Sequence, residues 1–219
     1  MNAEPHLAAR PFDAVLCDVD NVIRFYDPAP LAELERTLGV AEGTTQQIAF
    51  SPEVDGPFLL GKISPQAWRD AIASELSRRL PETSARELAS TMTRAPFRAD
   101  APVVTLLRRI RQHVPLVLVT NASTDLERDL ETMGLTDLAD HVVSSARVGV
   151  AKPDRAIYEI AAARAQVPAH RCLFVDDRAE NVDAAVALGM TGVHYGGPAD
   201  LRYAVDALPG EGHVSGRYQ

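Results

Sequence analysis

The sequence predicts an α/β fold: a doubly wound parallel sheet with a small all-helical domain inserted after the first strand. Three observations predict it. Apolar, β-branched runs opening at Ala14, Val114 and Cys172 are bounded by polar residues, as strands buried on both faces of a parallel sheet are. From Asp100 onward such runs alternate with helical patterns, as βαβ units require. Between the first run and the second, residues 27–94 carry helical patterns and no convincing strand. The division is a core of 1–26 and 95–219, and a helical insertion of 27–94. At 219 residues there is length for one sizeable core and a small second domain.

The first strand leads to Asp18 and Asp20, where the chain leaves the sheet. A helix over 28–38 is stopped by Gly39. Ser64-Pro65 is an N-cap followed by proline at the first helical position. That helix runs to about Leu80, with Trp68, Ile72, Leu76 and Leu80 on one stripe. Ser84 and Glu87 have capping-box spacing for another helix. Asp100 caps a helix through Val104, Leu107 and Ile110, ahead of the strand 114–120. Thr124 and Glu127 have capping-box spacing for a helix ended by Gly134. Next are a short strand at 142–144 and a helix opened by Pro153. Then come a strand at 172–177, a helix over 182–188 ended by Gly189, a strand at 192–195, a helix over 198–208 and a loose tail.

Composition excludes some partners. With 22 basic and 30 acidic residues the formal charge is −8, so a nucleic-acid backbone is a poor partner. No run reaches the length of a membrane span, and residues 1–11 have no signal-peptide pattern, so a cytoplasmic location is expected. Cys17 ends its strand and Cys172 begins its own. Parallel neighbours would hold them at different heights, as two buried free thiols.

The residues that carry chemistry stand at the carboxyl ends of the strands. The stations are Asp18 with Asp20, then Thr120-Asn121, then Lys152, then Asp176-Asp177. In a right-handed parallel sheet these ends share one edge, where open α/β sheets bind ligands. Each alone has an ordinary explanation: a helix cap, a turn, a surface lysine, a pair with Arg178. Together they fit phosphoryl transfer. A carboxylate can attack phosphorus, and a second can move the proton of the leaving alcohol and of water. Hard oxygen donors suit Mg²⁺, while a lysine and a hydroxyl take the remaining phosphate oxygens.

In this order, Asp18-Val-Asp20-Asn-Val, Thr120-Asn121, Lys152-Pro153 and Val175-Asp-Asp177 closely resemble the motifs of the haloacid dehalogenase-like hydrolase superfamily. The likeness runs over residues 12–197. It implies a Rossmann-like core, and the insertion resembles the small helical cap of the first subfamily. It implies Asp18 as nucleophile and metal ligand. It implies Asp20 as general acid/base, with its backbone carbonyl on the metal, and Thr120, Asn121 and Lys152 around the phosphate. The last motif resembles a Gly-Asp-x-x-x-Asp pattern, with Asp176 at the glycine and Asn181 at the second acid. Asp177 is then preferred as metal ligand, with Asp176 a close second. Asn21 stands where most members carry glycine, and asparagine tolerates positive φ.

The resemblance implies a Mg²⁺-dependent phosphatase of a small phosphorylated metabolite, closest to the sugar-phosphate and nucleotide branch. A phosphomutase keeps the same residues. A metal-independent dehalogenase lacks an acid matching Asp20, and a retired binding scaffold predicts a lost motif residue. Phe50, Phe58, Lys62 and Trp68 are cap residues placed to touch substrate, although Trp68 on a helical stripe equally reads as core. His113, His141, His170 and His194 carry no assigned role.

Overall fold

A computed structural model describes residues 11–206 and Leu208. The expectations for residues 1–10 and for the tail beyond 208 lie outside the described residues. The chain enters through β1 (Ala14–Cys17) and a short β2 (Arg24–Tyr26). Five helices follow: α1 (Ala29–Thr37), α2 (Thr44–Ala49), α3 (Pro52–Leu59), α4 (Pro65–Leu76) and α5 (Glu82–Thr93). The chain returns through β3 (Phe97–Ala99), then α6 (Ala101–Arg111), β4 (Leu116–Thr120) and α7 (Leu126–Thr132). It continues with β5 (His141–Ser144), α8 (Ser145–Val148), α9 (Arg155–Ala165) and β6 (Cys172–Asp176). It closes with α10 (Ala179–Ala187), β7 (Thr191–His194) and α11 (Pro198–Asp206).

The main sheet has the order β5-β4-β1-β6-β7, and every pair in it is parallel. Period-two alternation sends Val15 and Cys17 to one face, against Val103, Leu107 and Ile110 of α6. Ala14 and Leu16 go to the other face, against Ile157, Tyr158 and Ala161 of α9. Helices therefore cover both faces, and the sheet is doubly wound. Each fully buried Leu, Ile or Val contributes roughly 1.5–3 kcal/mol of transfer free energy. Ala14 pairs with Cys172 and Cys17 with Val175, so the two buried, free cysteines are offset along the sheet as expected.

Helices α1–α5 bury a separate cluster that includes Leu31, Phe58, Trp68, Ile72, Leu76 and Leu88. Ser64 caps α4 through a 3.1 Å bond from the Ala67 N–H. That helix ends at Leu76 rather than Leu80, although Leu80 still packs on the cluster. Neither capping box forms. α5 starts at Glu82 after Pro81, and α7 starts at Leu126 after Asp125. Pro153 stands just outside α9, where the Asp154 carboxylate accepts from the Ala156 N–H at 2.9 Å.

Three helices, α2, α3 and the one-turn α8, and one ribbon go beyond the elements expected from sequence. α2 has a glycine N-cap and no local cap signal. The buried Glu35 carboxylate of α1 accepts from the Gly43 and Thr45 N–H groups, both at 2.7 Å, and does the capping from a distance. α3 does carry a signal, Ser51-Pro52, of the kind that marks α4. β2 and β3 form an antiparallel ribbon with Arg24 opposite Ala99 and Tyr26 opposite Phe97. Three residues per strand are too few to display an alternation.

Candidate active site

The register of the sheet assembles the site. The last pair of β1 and β6 is Cys17 with Val175, so Asp18 and Asp176 lie side by side one residue further on. Both are buried. Lys152 reaches between them, with Nζ 2.7 Å from Asp18 Oδ1 and 2.6 Å from Asp176 Oδ2. Its ammonium also lies 5.8 Å from the centre of the Phe174 ring. Asp176 Oδ1 accepts from the Arg178 N–H at 2.9 Å and from Asn181 Nδ2 at 3.0 Å. The Tyr158 hydroxyl donates to the Asn181 carbonyl at 2.9 Å, which steadies that residue.

Lys152 is held by its own backbone. Asn121 Oδ1 accepts from the Lys152 N–H at 2.8 Å, and Asn121 Nδ2 donates to the Lys152 carbonyl at 2.9 Å. The Lys152–Pro153 peptide is cis. The Asn121 side chain is thus committed to placing the lysine. Thr120, level with Ser144 at the tip of β4, is fully buried. Its Oγ1 has no hydrogen-bond partner among the described residues.

Carboxylate oxygens of Asp18, Asp176 and Asp177 lie within 4.8 Å of one another. Three acids face one lysine, an excess of negative charge that a cation or protons must settle. Burial pushes the Asp18 carboxyl up to about 7; Lys152 opposes this, and Asp176 and Asp20 add to it. Burial alone would lower the Lys152 ammonium, but Asp18 and Asp176 more than offset it and raise it above its ordinary value. The Asp177 carboxyl is raised by burial and by Asp176, against its bond from Asn21. An all-oxygen, carboxylate-rich donor set is what Mg²⁺ favours, so the residues present fit that ion.

Asn21 adopts φ 58°, the left-handed turn that its place after Asp20 requires. Its Nδ2 donates to Asp177 Oδ2 at 2.9 Å and ties the first motif to the last. His194 Nε2 lies 2.9 Å from the Asp177 carbonyl, so one histidine without an assigned role does touch the last motif.

Asp20 stands apart from its expected companion. Its carboxylate is outside the acid cluster and faces Arg24, with Oδ1 2.6 Å from Nε and Oδ2 2.9 Å from Nη2. Arg24 carries no signal in the sequence, because one arginine in a connector makes no pattern. Two of the insertion residues expected near substrate are packed elsewhere. Phe58 and Trp68 stack on each other at 4.3 Å within the helical cluster. Phe50 and Lys62 are exposed.

The helical block meets the core at Gly61. A Cβ there would stand 2.4 Å from the Ala146 carbonyl oxygen, and φ is +67°. Position 61 therefore accepts only glycine without strain.

Fold and site together define an α/β enzyme whose aspartates gather at the carboxyl edge of its sheet. The chain belongs to the haloacid dehalogenase-like hydrolases, whose family model matches residues 12–189, and it is a hydrolase. It is 36% identical over 141 residues to the sesquiterpene phosphatase astK of Aspergillus oryzae, covering 63% of this chain and 69% of that protein. Among solved structures it resembles the HAD family enzyme bt-2542 of Bacteroides thetaiotaomicron in complex with magnesium and inorganic phosphate. That match has a TM-score of 0.63 and 18% identity, covering 83% of this chain and 92% of the other. The L-2-haloacid dehalogenase of Xanthobacter autotrophicus superposes with a TM-score of 0.60 and 22% identity, covering 83% and 76%. The structural likenesses concern the fold. Among the described residues no helix is long and apolar enough to cross a membrane.

Proposed function

We propose that this hydrolase is a cytoplasmic, Mg²⁺-dependent phosphatase of small phosphate monoesters that works through an aspartyl-phosphate on Asp18. One observation carries the reading. A buried lysine spans two adjacent strand-tip aspartates, with a third carboxylate within 4.8 Å and an unpartnered threonine hydroxyl on the neighbouring strand tip. Asp18 supplies the attacking oxygen, and Asp20 carries the proton. Thr120 and Lys152 receive phosphate oxygens, and Asn121 holds the lysine for that purpose. Asp18, Asp177 and Asp176, with the Asp20 carbonyl, would hold the metal. Bound there, Mg²⁺ would supply neutralising charge and an anchor for a phosphate oxygen. Residues 27–94 act as a cap over this edge, seated at Gly61 against Ala146.

The likeness to a sesquiterpene phosphatase favours transfer to water and adds terpenyl phosphates to the panel worth testing. The direct experiment is phosphate release from 4-nitrophenyl phosphate with Mg²⁺ and with EDTA. Release with the metal and loss in EDTA are expected. Asp18→Asn should lose at least about 10³-fold in turnover while unfolding within a few degrees of the parent. Substantial turnover by that variant would remove Asp18 from the role.

A further inference from the structure

We propose that Arg24 is the positioning residue for Asp20: a buried guanidinium built into the β2–β3 ribbon that fixes the acid/base carboxylate in line with the leaving group. The inference rests on the phosphatase reading above and adds to it a residue outside the four motifs.

Arg24 is 3% exposed, and each of its three guanidinium nitrogens bonds a carboxylate oxygen. Nε and Nη2 hold the two oxygens of Asp20 at 2.6 and 2.9 Å, and Nη1 holds Asp129 Oδ2 of α7 at 2.6 Å. Two aromatic rings flank the guanidinium carbon, Tyr26 at 5.0 Å and Phe97 at 5.7 Å from their centres. Those rings meet edge to face at 5.6 Å across the ribbon. Burial opposes the charge of Arg24, but the bonds and charge of Asp20, with Asp129 adding, more than restore it. A buried arginine held by two acids and two rings has one geometry available.

That geometry suits a carboxylate that must carry a proton without losing its place. The shorter bond, Nε to Oδ1, can keep Asp20 oriented while Oδ2, on the longer bond, serves the substrate. The guanidinium need not move, because Asp129 retains Nη1. In the first half-reaction an Asp18 oxygen bonds to phosphorus as the P–O ester bond breaks. The departing electron pair stays on the ester oxygen, which takes the proton from Asp20 and leaves as the alcohol. In the second, water oxygen bonds to phosphorus and gives its proton to Asp20. The P–O bond to Asp18 breaks, its electron pair returns to Asp18, and phosphate leaves.

Proton delivery matters most when the leaving alcohol is weakly acidic. kcat/KM covers the steps through alcohol release, so its ratio between an alkyl phosphate and 4-nitrophenyl phosphate reports the positioning of Asp20. Arg24→Lys keeps charge but cannot form the fork. It should lose about 100-fold in kcat/KM on hexyl phosphate and under about 5-fold on 4-nitrophenyl phosphate. Asp20→Asn should show the same asymmetry, and Asp129→Asn a milder one in the same direction, about 10-fold. Thermal unfolding of each variant identifies those that fold, and Asp129→Asn preserves the test if Arg24→Lys does not. If folded Arg24→Lys and Asp129→Asn keep the parental ratio while Asp20→Asn loses it, the role of Arg24 is overturned and the phosphatase reading stands. If the parent hydrolyses neither ester with Mg²⁺, the underlying reading falls, and this one with it.

Discussion

Replacing Lys152 by methionine tests what the buried charge bridge does for the fold. The lysine side chain is 1% exposed, and its ammonium joins side chains that are 7% and 0% exposed. Methionine fills similar space without charge. Asp18 Oδ1 would retain its bond from the Val19 N–H, and Asp176 Oδ1 its bonds from Arg178 and Asn181. Asp176 Oδ2 would lose its lysine inside a dry interior. Breaking a buried pair from one side destabilises by about 3–5 kcal/mol, because a charge is left without compensation. For a chain of this length that is a fall of about 6–20 °C in Tm. The assay is thermal unfolding by circular dichroism in EDTA, so that no cation substitutes for the lysine. The double variant Lys152→Met/Asp176→Asn removes the stranded charge as well and should recover at least half of the loss. A fall under about 2 °C in the single variant, or no recovery in the double one, would refute the argument.

Two further outcomes are expected away from the chemistry. Gly61→Ala forces a Cβ to 2.4 Å from the Ala146 carbonyl at a left-handed φ. A loss of about 1–3 kcal/mol, or about 2–12 °C in Tm, should result, and an unchanged Tm would show that the block is not seated there. Burial lifts the Asp55 carboxyl to about 6, with Arg178 opposing. Its ionisation then works against the fold, and stability is fullest below the unfolded value near 4 and is lost as pH rises through about 6. After discounting for solvent screening, Asp55→Asn should gain about 1 kcal/mol at pH 7.5, or about 2–4 °C, and nothing at pH 4. An equal gain at both pH values would assign the effect to something other than ionisation.

The core sheet was legible because buried parallel strands leave long apolar runs, and because the chemistry sits at or just beyond their ends. Asp18, Thr120, Lys152 and Asp176 could be read by position along the chain. What escaped depends on contacts between distant residues. Asp20 sits two residues from Asp18 in sequence, yet its side chain goes to Arg24, whose other arm goes to Asp129, 105 residues away. Asn121 is expected from sequence at the phosphate, yet its amide is taken by the backbone of Lys152. Helix α2 is capped by Glu35 of another helix, which no local pattern announces. Trp68 on its four-residue stripe did read as core, and it is buried against Phe58.

The β2–β3 ribbon has a consequence for how this chain can change. The polypeptide departs for the helices after Tyr26 and comes back at Phe97, and these two residues face each other across paired strands. Exit and return are therefore neighbours, a gap that a tight turn spans. Residues 27–96 form a detachable loop in the topological sense. Swapping, trimming or enlarging them leaves the strand order and register of the main sheet untouched, so the helical block can be remodelled while the cluster at the strand tips is inherited intact.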